Sequence, residues 1–364
     1  MELYVFNANV ELIHIIDEFT SLIWIRRYYK SGEFELHLPL VRDNIQHLKK
    51  GNIIYKKGDD EAGYIETRKI SIDEKGQETL QVKGKFLTNY LNDRINWGEL
   101  SFNGFSEVFM RKLVSDNCIN PIDINRKIPL LNLGALKNYS EAVACQNSYG
   151  NIGEELESIA LTSKLGYRIK FNHMNKSLLF EVYKGINRSV NQQLISPCIF
   201  SRDFENILNQ DYVESSNNFK NTALVAGDGE GAVRTLIPIN NDNIGLNRHE
   251  LFIDAGNLRK EVNGKILSDA EYKNTLIQKG NEKLSEYKDI KTFDSKINTR
   301  GNNVYKVDYD LGDIVTISDS KWELRVDTRI TEIEEIYEDG KNEINPVFGN
   351  NIPTIMDTFK RMVK

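Results

Sequence analysis

The chain carries one short β pattern twice, and more than 200 residues separate the two copies. The first copy runs from Gly51 to Gly84 and the second from Gly312 to Gly349. Each opens on a glycine that leads into an apolar strand. At one constant offset, the alignment pairs Gly51 with Gly312, Ile53 with Ile314, Ile54 with Val315, Ile65 with Val326, Thr67 with Thr328 and Arg68 with Arg329. A chain that builds the same β unit twice is typical of a shape-forming protein rather than of a single active site.

Both copies turn back at a glycine, Gly76 in the first and Gly340 in the second. On this alignment the second copy's hairpin is three residues longer than the first. We interpret these extra residues as the place where the two units differ.

The composition limits the classes of protein to which the chain can belong. It has 364 residues, 40% hydrophobic and 27% charged, and a net charge of −6. This is ordinary for a globular protein of two or three domains, and it argues against specific nucleic-acid binding. We find no secretory signal and no apolar run long enough for membrane insertion. Cys118, Cys145 and Cys198 form no CxxC pair, which indicates free buried thiols and synthesis in the cytoplasm.

Alternating strands and a few helices predict an α+β fold dominated by β structure. We predict a first tube-like β domain over residues 1–97 and an inserted α+β domain over 98–215. A second tube-like β domain follows over 216–349 and contains a helix over 268–290. A tail helix within 350–364 ends the chain.

Helix signals support three of the predicted elements. Apolar residues recur at helical spacing over 105–117, and the helix that follows Gly150 is predicted to stop at Gly166. Ser268 with Glu271 three residues later forms a capping-box pattern at the start of the longest helix.

A glycine-rich segment, Gly227 to Gly231, resembles a phosphate-binding loop at first sight. Asp228 and Glu230 would repel phosphate, and a strand rather than a helix follows. The two carboxylates could act as an acid–base or metal pair, but too few oxygens accompany them for a hard cation. We interpret the segment as a solvated tight turn that needs positive φ angles.

The remaining reactive side chains form no catalytic or metal-binding pattern. His14, His37, His47, His173 and His249 are scattered, and no GxSxG motif is present. Trp24 and Trp322 lie within strand patterns and favour core or interface positions, although a sugar platform that includes Trp97 stays open. We therefore predict no catalytic residues, no cofactor and no metal site.

Several segments together resemble the baseplate hub proteins of phage tails. They are Ser21–Leu40, a glycine-led strand with Gly63–Ile70, Phe200–Arg234 with its VAGDGEG turn, Gly245–Leu258 and Tyr309–Ile317. The resemblance implies two barrel-like tube domains per chain and a homotrimer, which adapts a six-fold tail tube to a three-fold central spike.

The implied partners are further copies of the chain, the tail tube protein, the spike or tail-tip protein, other baseplate proteins and the tape-measure protein. The implied location is the tail baseplate of a virion or of a phage-tail-like bacteriocin particle, contractile or not. Because the chain ends soon after the second copy, we expect any spike or enzyme to be a separate protein.

Two other functions compete with the structural one. One is a receptor- or carbohydrate-binding tail protein that uses exposed aromatic residues such as Trp322 or Tyr337. The other is a cell-wall-degrading tail-tip enzyme that uses Asp228 and Glu230.

Overall fold

The computed structural model describes residues 1–72, 74–262, 265–298, 301–338 and 340–349. The predicted tail helix within 350–364 therefore lies outside the described residues. The first part of the chain forms seven strands and one short helix. They are β1 (Leu3–Phe6), β2 (Leu12–Ile16), β3 (Ser21–Arg27), β4 (Glu33–Pro39), α1 (Arg42–His47), β5 (Ile53–Lys56), β6 (Ala62–Ile72) and β7 (Glu78–Phe86).

The middle of the chain mixes helices with short strands, and a 3-10 helix over Leu87–Asp93 leads into it. Its elements are β8 (Glu99–Phe105), α2 (Ser106–Val114), β9 (Leu131–Leu133), β10 (Ala142–Ser148), α3 (Ile152–Ser163), β11 (Gly166–Asn172) and β12 (Ser177–Tyr183). A π-helical turn over Ser115–Ile119 continues α2.

The last part returns to β structure around one long helix. Its elements are β13 (Ile199–Phe200), β14 (Ile207–Ser215), β15 (Thr222–Ala226), β16 (Leu236–Ile239), β17 (Glu250–Asp254), β18 (Glu261–Val262), β19 (Lys265–Ile266), α4 (Asp269–Ser285), β20 (Ile290–Ile297), β21 (Ile314–Asp319), β22 (Leu324–Glu338) and β23 (Lys341–Gly349). The capping box predicted at Ser268 is present, because its side chain and that of Glu271 bond to each other's backbone N–H groups.

Thirteen strands form one sheet whose order is β14-β20-β23-β22-β3-β4-β7-β6-β5-β1-β2, with β21 branching from β22 and β13 pairing with β21. The fold is thus α+β and dominated by strands, as predicted. Within the described part of the chain the sheet stays open, so a single chain does not close a barrel. The predicted domain boundaries stay predictions, and β14, which precedes the boundary at 215, pairs with β20, which follows it.

The sheet contains two units with the same strand order. Unit 1 is β3-β4-β7-β6-β5, and unit 2 is β14-β20-β23-β22-β21. In each unit an isoleucine, Ile65 or Ile330, accepts a 2.8 Å hydrogen bond from the opening glycine, Gly51 or Gly312. A β-bulge follows both isoleucines, where β6 meets β7 and β22 meets β23. The structure therefore contains the predicted repeat. In each unit the repeat also includes the strand pair that precedes the opening glycine, β3–β4 or β14–β20.

The residue-by-residue alignment of the second strand is wrong by four positions. Ile65 is equivalent to Ile330 and not to Val326, so the Thr-Arg matches are coincidental. The extra residues lie between β21 and β22, where Ile314 pairs with Arg329, whereas Ile53 pairs with Tyr64 in unit 1. The later hairpin, β22–β23, is not the longer one. The alignment misplaced the extra residues because side-chain identity alone does not show how many residue pairs two strands form.

Among the described residues, four hydrophobic clusters form the core. Unit 1 packs around Trp24 and Phe86, unit 2 around Phe200 and Phe348, and the middle block around Phe109 and Phe180. A fourth cluster lies between α4 and the small sheet β16-β15-β17. That small sheet and α4 are inserted between β14 and β20, within the hairpin of unit 2.

The helix after Gly150 ends earlier than predicted. It stops at Ser163 because Lys164 adopts a left-handed conformation with φ of 60°. Gly166 instead opens β11, where a Cβ atom would lie 2.4 Å from the Tyr28 ring. The glycine is needed for close packing rather than for ending the helix.

Candidate functional site

The two units meet where β3 of unit 1 pairs with β22 of unit 2, and we call this contact the junction. Seven antiparallel residue pairs form it, from Arg27 opposite Glu332 to Ser21 opposite Glu338. Trp24 lies opposite Glu335 at its centre. The junction makes one continuous sheet from two units that are far apart in sequence.

Arg26 is the centre of a buried ionic cluster behind this strand pair. Its side chain is 2% exposed, and Nη1 donates to the Tyr305 hydroxyl at 2.8 Å and to Asp310 Oδ1 at 2.7 Å. Its Nε lies 3.8 Å from Glu61 Oε2, and neither atom has a hydrogen-bond partner within the described structure. Arg26 therefore connects β3 to the segment between β20 and β21 of unit 2.

Lys56, at the end of β5, supplies the second buried positive charge. Its Nζ lies 2.9 Å from Asp59 Oδ2 and also forms an ion pair with Glu335 of β22. The Tyr305 hydroxyl donates to the other oxygen of Glu335 at 3.0 Å. Burial alone would raise the pKa of Asp59, but Lys56 and Arg26 outweigh it and hold that pKa well below its usual range. Charges of both units are thus neutralised by each other.

Glu61 differs from the other acids of the cluster. Burial raises the pKa of its carboxyl to about 7, although Arg26 and Arg168 act in the opposite direction. The 3.8 Å gap to Arg26 is too long for a hydrogen bond, which agrees with a carboxyl that is neutral below that pH. A buried ion pair adds little net stability, but removing one partner leaves an uncompensated buried charge.

Tyr28 forms a second contact between the parts of the chain. Its ring is fully buried, and its hydroxyl lies 3.2 Å from the carbonyl oxygen of Lys164 and 3.3 Å from the backbone nitrogen of Gly185. A Cβ atom at Gly312 would lie 2.3 Å from this ring. The opening glycine of unit 2 is therefore packed against unit 1, beside the middle block.

The glycine-rich segment forms the tight turn that was predicted. Gly229 and Gly231 have φ angles of 107° and 55°, and β15 and β16 pair on either side. The Asp228 N–H donates to the Tyr272 hydroxyl of α4 at 2.7 Å, while the side chains of Asp228 and Glu230 are exposed. Within the described ranges no three His, Cys, Asp or Glu side chains are grouped to hold a metal ion.

The structure distributes the other candidate residues over separate places. Trp24 is fully buried in the core of unit 1, whereas Trp97 and Trp322 are about half exposed, with Arg126 and Arg202 over their rings. His14 stacks on His47, His37 contacts Glu35, His173 joins an aromatic group with Phe6, and His249 contacts Phe219. Cys118 and Cys198 are buried and Cys145 is half-buried, all as free thiols.

Sequence reasoning missed Arg26, Lys56 and Glu335, which are charged residues of the buried ionic cluster beside the junction. A signal exists for Arg26, because strict alternation along β3 places it on the same face as Leu22 and Trp24. A charge at such an inward position needs a buried partner. The identity of that partner has no local sequence signal, because Asp310 lies 284 residues away.

Comparisons with known proteins agree with this architecture. A tail protein from Neisseria meningitidis MC58 superimposes with a TM-score of 0.58 at 13% identity, over 96% of each chain. The prophage tail protein gp18 of Listeria monocytogenes EGD-e gives 0.57 at 11% identity, over 100% of this chain and 98% of that one. The 43 kDa tail protein of prophage MuSo2 from Shewanella oneidensis gives 0.54 at 13%, over 96% and 98%. These likenesses establish a shared fold.

A comparison with curated protein sequences gives no significant match. Among the described residues, no helix has both the length and the apolar character that a membrane crossing requires. The model of the Siphovirus ReqiPepy6 Gp37-like proteins matches residues 2–350. The chain therefore belongs to this family of phage tail proteins.

Proposed function

We propose that this tail protein is a baseplate hub that assembles as a homotrimer. The observation that carries the proposal is the pair of units with one strand order, joined side by side in one sheet. Three chains then offer six similar β units to a six-fold tube and still keep three-fold symmetry for a central spike. Heterologous contacts between copies close into a ring when the rotation between them is right.

The open sheet of the single chain supports assembly. Unpaired strand edges attract further strands, and ring formation removes them. The proposed partners are the tail tube protein on one side, the spike or tail-tip protein on the other, and the surrounding baseplate and tape-measure proteins. The proposed location is the baseplate of a virion or of a phage-tail-like particle, which would assemble in the bacterial cytoplasm.

We also propose that the protein is not an enzyme. The buried ionic cluster contains carboxyls with strongly shifted pKa values, but Asp59 is paired with Lys56 and Arg26, and Glu61 lies buried inside the fold. The two carboxylates of the glycine-rich turn, at Asp228 and Glu230, project from an exposed loop. A peptidoglycan zymogram of the purified protein should show no clearing, and activity that is lost in Asp228→Asn or Glu230→Gln would contradict the proposal.

Sedimentation of the purified protein, alone and with its spike protein, tests the hub function. We expect a species of three times the 41.9 kDa chain mass. Electron microscopy of the native particle with the chain labelled should place the label at the tail tip, at the axis. A strictly monomeric protein that never enters a tail particle would overturn the proposal.

A further inference from the structure

Two of the strand edges that lack a partner among the described residues are the counterparts of the junction strands. One belongs to β14, the end strand of the sheet, which pairs only with β20. The other is the outer half of β6, over 67–72, which pairs with β7 on one side only. This half carries Ile70 and Ile72, which are 50% and 66% exposed.

The strand pairing at the junction indicates which strand each of these two edges can pair with. In unit 2 the inner half of β22 pairs with β21 and its outer half pairs with β3. In unit 1 the inner half of β6 pairs with β5 in the same way, but its outer half has no second partner in the part of the chain that the structure describes. β3 and β14 are equivalent strands of the two units. The empty edge of β6 and the free edge of β14 are thus the counterparts of an occupied contact within the same chain.

The geometry points to a second copy of this chain as the occupant of both edges. We propose that β14 of one copy pairs antiparallel with the outer half of β6 of the next copy, in the register of the junction. This inference rests on the proposed ring and specifies its contact.

The register follows from the pairings of the single chain. Trp24 and Tyr212 are equivalent, because each lies opposite the matching phenylalanine position of the next strand, 34 or 293. Ile70 and Glu335 are equivalent, because each lies five positions beyond the isoleucine at the bulge. Since Trp24 lies opposite Glu335, the transferred register places Tyr212 opposite Ile70.

Side chains at the transferred positions are complementary. Arg68 falls opposite Glu214, and Arg68 Nε is buried with no hydrogen-bond partner in the described part of the chain. Ile70 would be covered by the half-buried Tyr212. Opposite charges and aromatic–aliphatic pairs facing across two strands both stabilise a sheet. The equivalent junction pairs are Arg26 with Ile333 and Trp24 with Glu335, so the contact between copies would pair its two charges with each other and its two apolar groups with each other.

Disulfide trapping between copies tests the register. In the proposed contact Lys69 lies opposite Val213, so we would mix the full-length single variants Lys69→Cys and Val213→Cys and oxidise them mildly. Directly opposed cysteines in neighbouring strands are close enough to bond. The matched control mixes Lys69→Cys with Asn209→Cys, whose position lies about 13 Å further along β14. The unaltered protein controls for its own three cysteines.

We expect a disulfide-linked dimer in the first mixture and at least tenfold less in the control mixture. The double variant Lys69→Cys/Val213→Cys should give covalently closed rings. Sedimentation of the same samples separates the two proposals. Oligomers without the expected cross-link would overturn the strand pairing and leave the hub function standing, whereas monomers in every sample would overturn both.

A charge exchange gives an independent measurement. Arg68→Glu should weaken assembly about fivefold per contact, because it places two acids opposite each other. Adding Glu214→Arg should restore it. Equal assembly by Arg68→Glu and the unaltered protein would also overturn the pairing.

Discussion

At the scale of single residues, most charged groups of the buried ionic cluster are hydrogen-bonded to a group of opposite charge, and the Glu61 carboxyl is the exception. Arg26 lies 2.7 Å from Asp310 and Lys56 lies 2.9 Å from Asp59, which are hydrogen-bonding distances. Glu61 is fully buried, and its Oε2 makes no hydrogen bond in the described structure. Its raised pKa follows from that loss of solvation.

The pH dependence of stability should expose this carboxyl. An acid whose pKa is raised in the folded state stabilises the fold below its unfolded pKa, near 4.5, and loses that contribution as the pH rises through about 7. Across this window Glu61 should lower the free energy of unfolding by about 3 kcal/mol, at about 1.4 kcal/mol per pKa unit.

Urea unfolding of the wild type and of Glu61→Gln between pH 4.5 and 7.5 measures this contribution. The amide is neutral throughout, so the difference in unfolding free energy between the two proteins should grow with pH. A constant difference would mean that Glu61 ionises normally in the fold.

At the scale of elements, the two opening glycines have the same backbone role in different surroundings. Gly51 and Gly312 have φ angles of 84° and 92°, which strain any L-residue. A Cβ atom at Gly51 would meet nothing within 4 Å, whereas at Gly312 it would overlap the Tyr28 ring. The repeated sequence thus specifies the same turn twice but only one close contact.

We expect the two alanine variants to differ in stability. Gly51→Ala should cost about 1–2 kcal/mol of unfolding free energy, the strain of a left-handed residue. Gly312→Ala should cost about 1–3 kcal/mol more, because Tyr28 must move. Denaturant unfolding compares them directly, and equal losses would show that the Tyr28 contact yields without cost.

Local sequence patterns predicted individual strands and helices, whereas contacts that form through long-range strand pairing were visible only in the structure. Alternation marked β3 and β4, and the cap at Ser268 marked the start of α4, because these signals lie within a few residues. The alignment of β22 failed because a β-ladder can lengthen by adding residue pairs without any recognisable motif. The ionic cluster was missed because Lys56 and Glu335 form an ion pair only across the long-range pairing of β3 with β22.

At the scale of the whole molecule, the buried ionic cluster fixes the relative orientation of two units that are far apart in the sequence. Lys56 contributes from unit 1 and Glu335 from unit 2, and both are almost fully buried. Removing one member of such a pair leaves a buried charge without compensation. The relative position of the units therefore depends on a few side chains as well as on the strand pairing.

The adjacent lysines Lys56 and Lys57 provide a matched test. Lys56→Met should lower the unfolding free energy by about 3–5 kcal/mol, because Glu335 and Asp59 lose their buried cation. Lys57 pairs with Glu2 at the surface, so Lys57→Met should have no measurable effect. Similar losses in thermal or urea unfolding would indicate that the Lys56 cluster contributes no more than a surface ion pair.

The pairing of β3 with β22 also sets a schedule for synthesis. β4, one partner of β3, follows it directly in the sequence, whereas β22 is translated roughly 300 residues later, a delay of about 15–60 s at bacterial elongation rates. During that interval the nascent chain presents an unsatisfied edge to neighbouring chains on the same message. The outer half of β6 from an adjacent nascent chain could pair with β3 before β22 is made. The yield of correctly folded protein should therefore depend on how quickly β22 is translated.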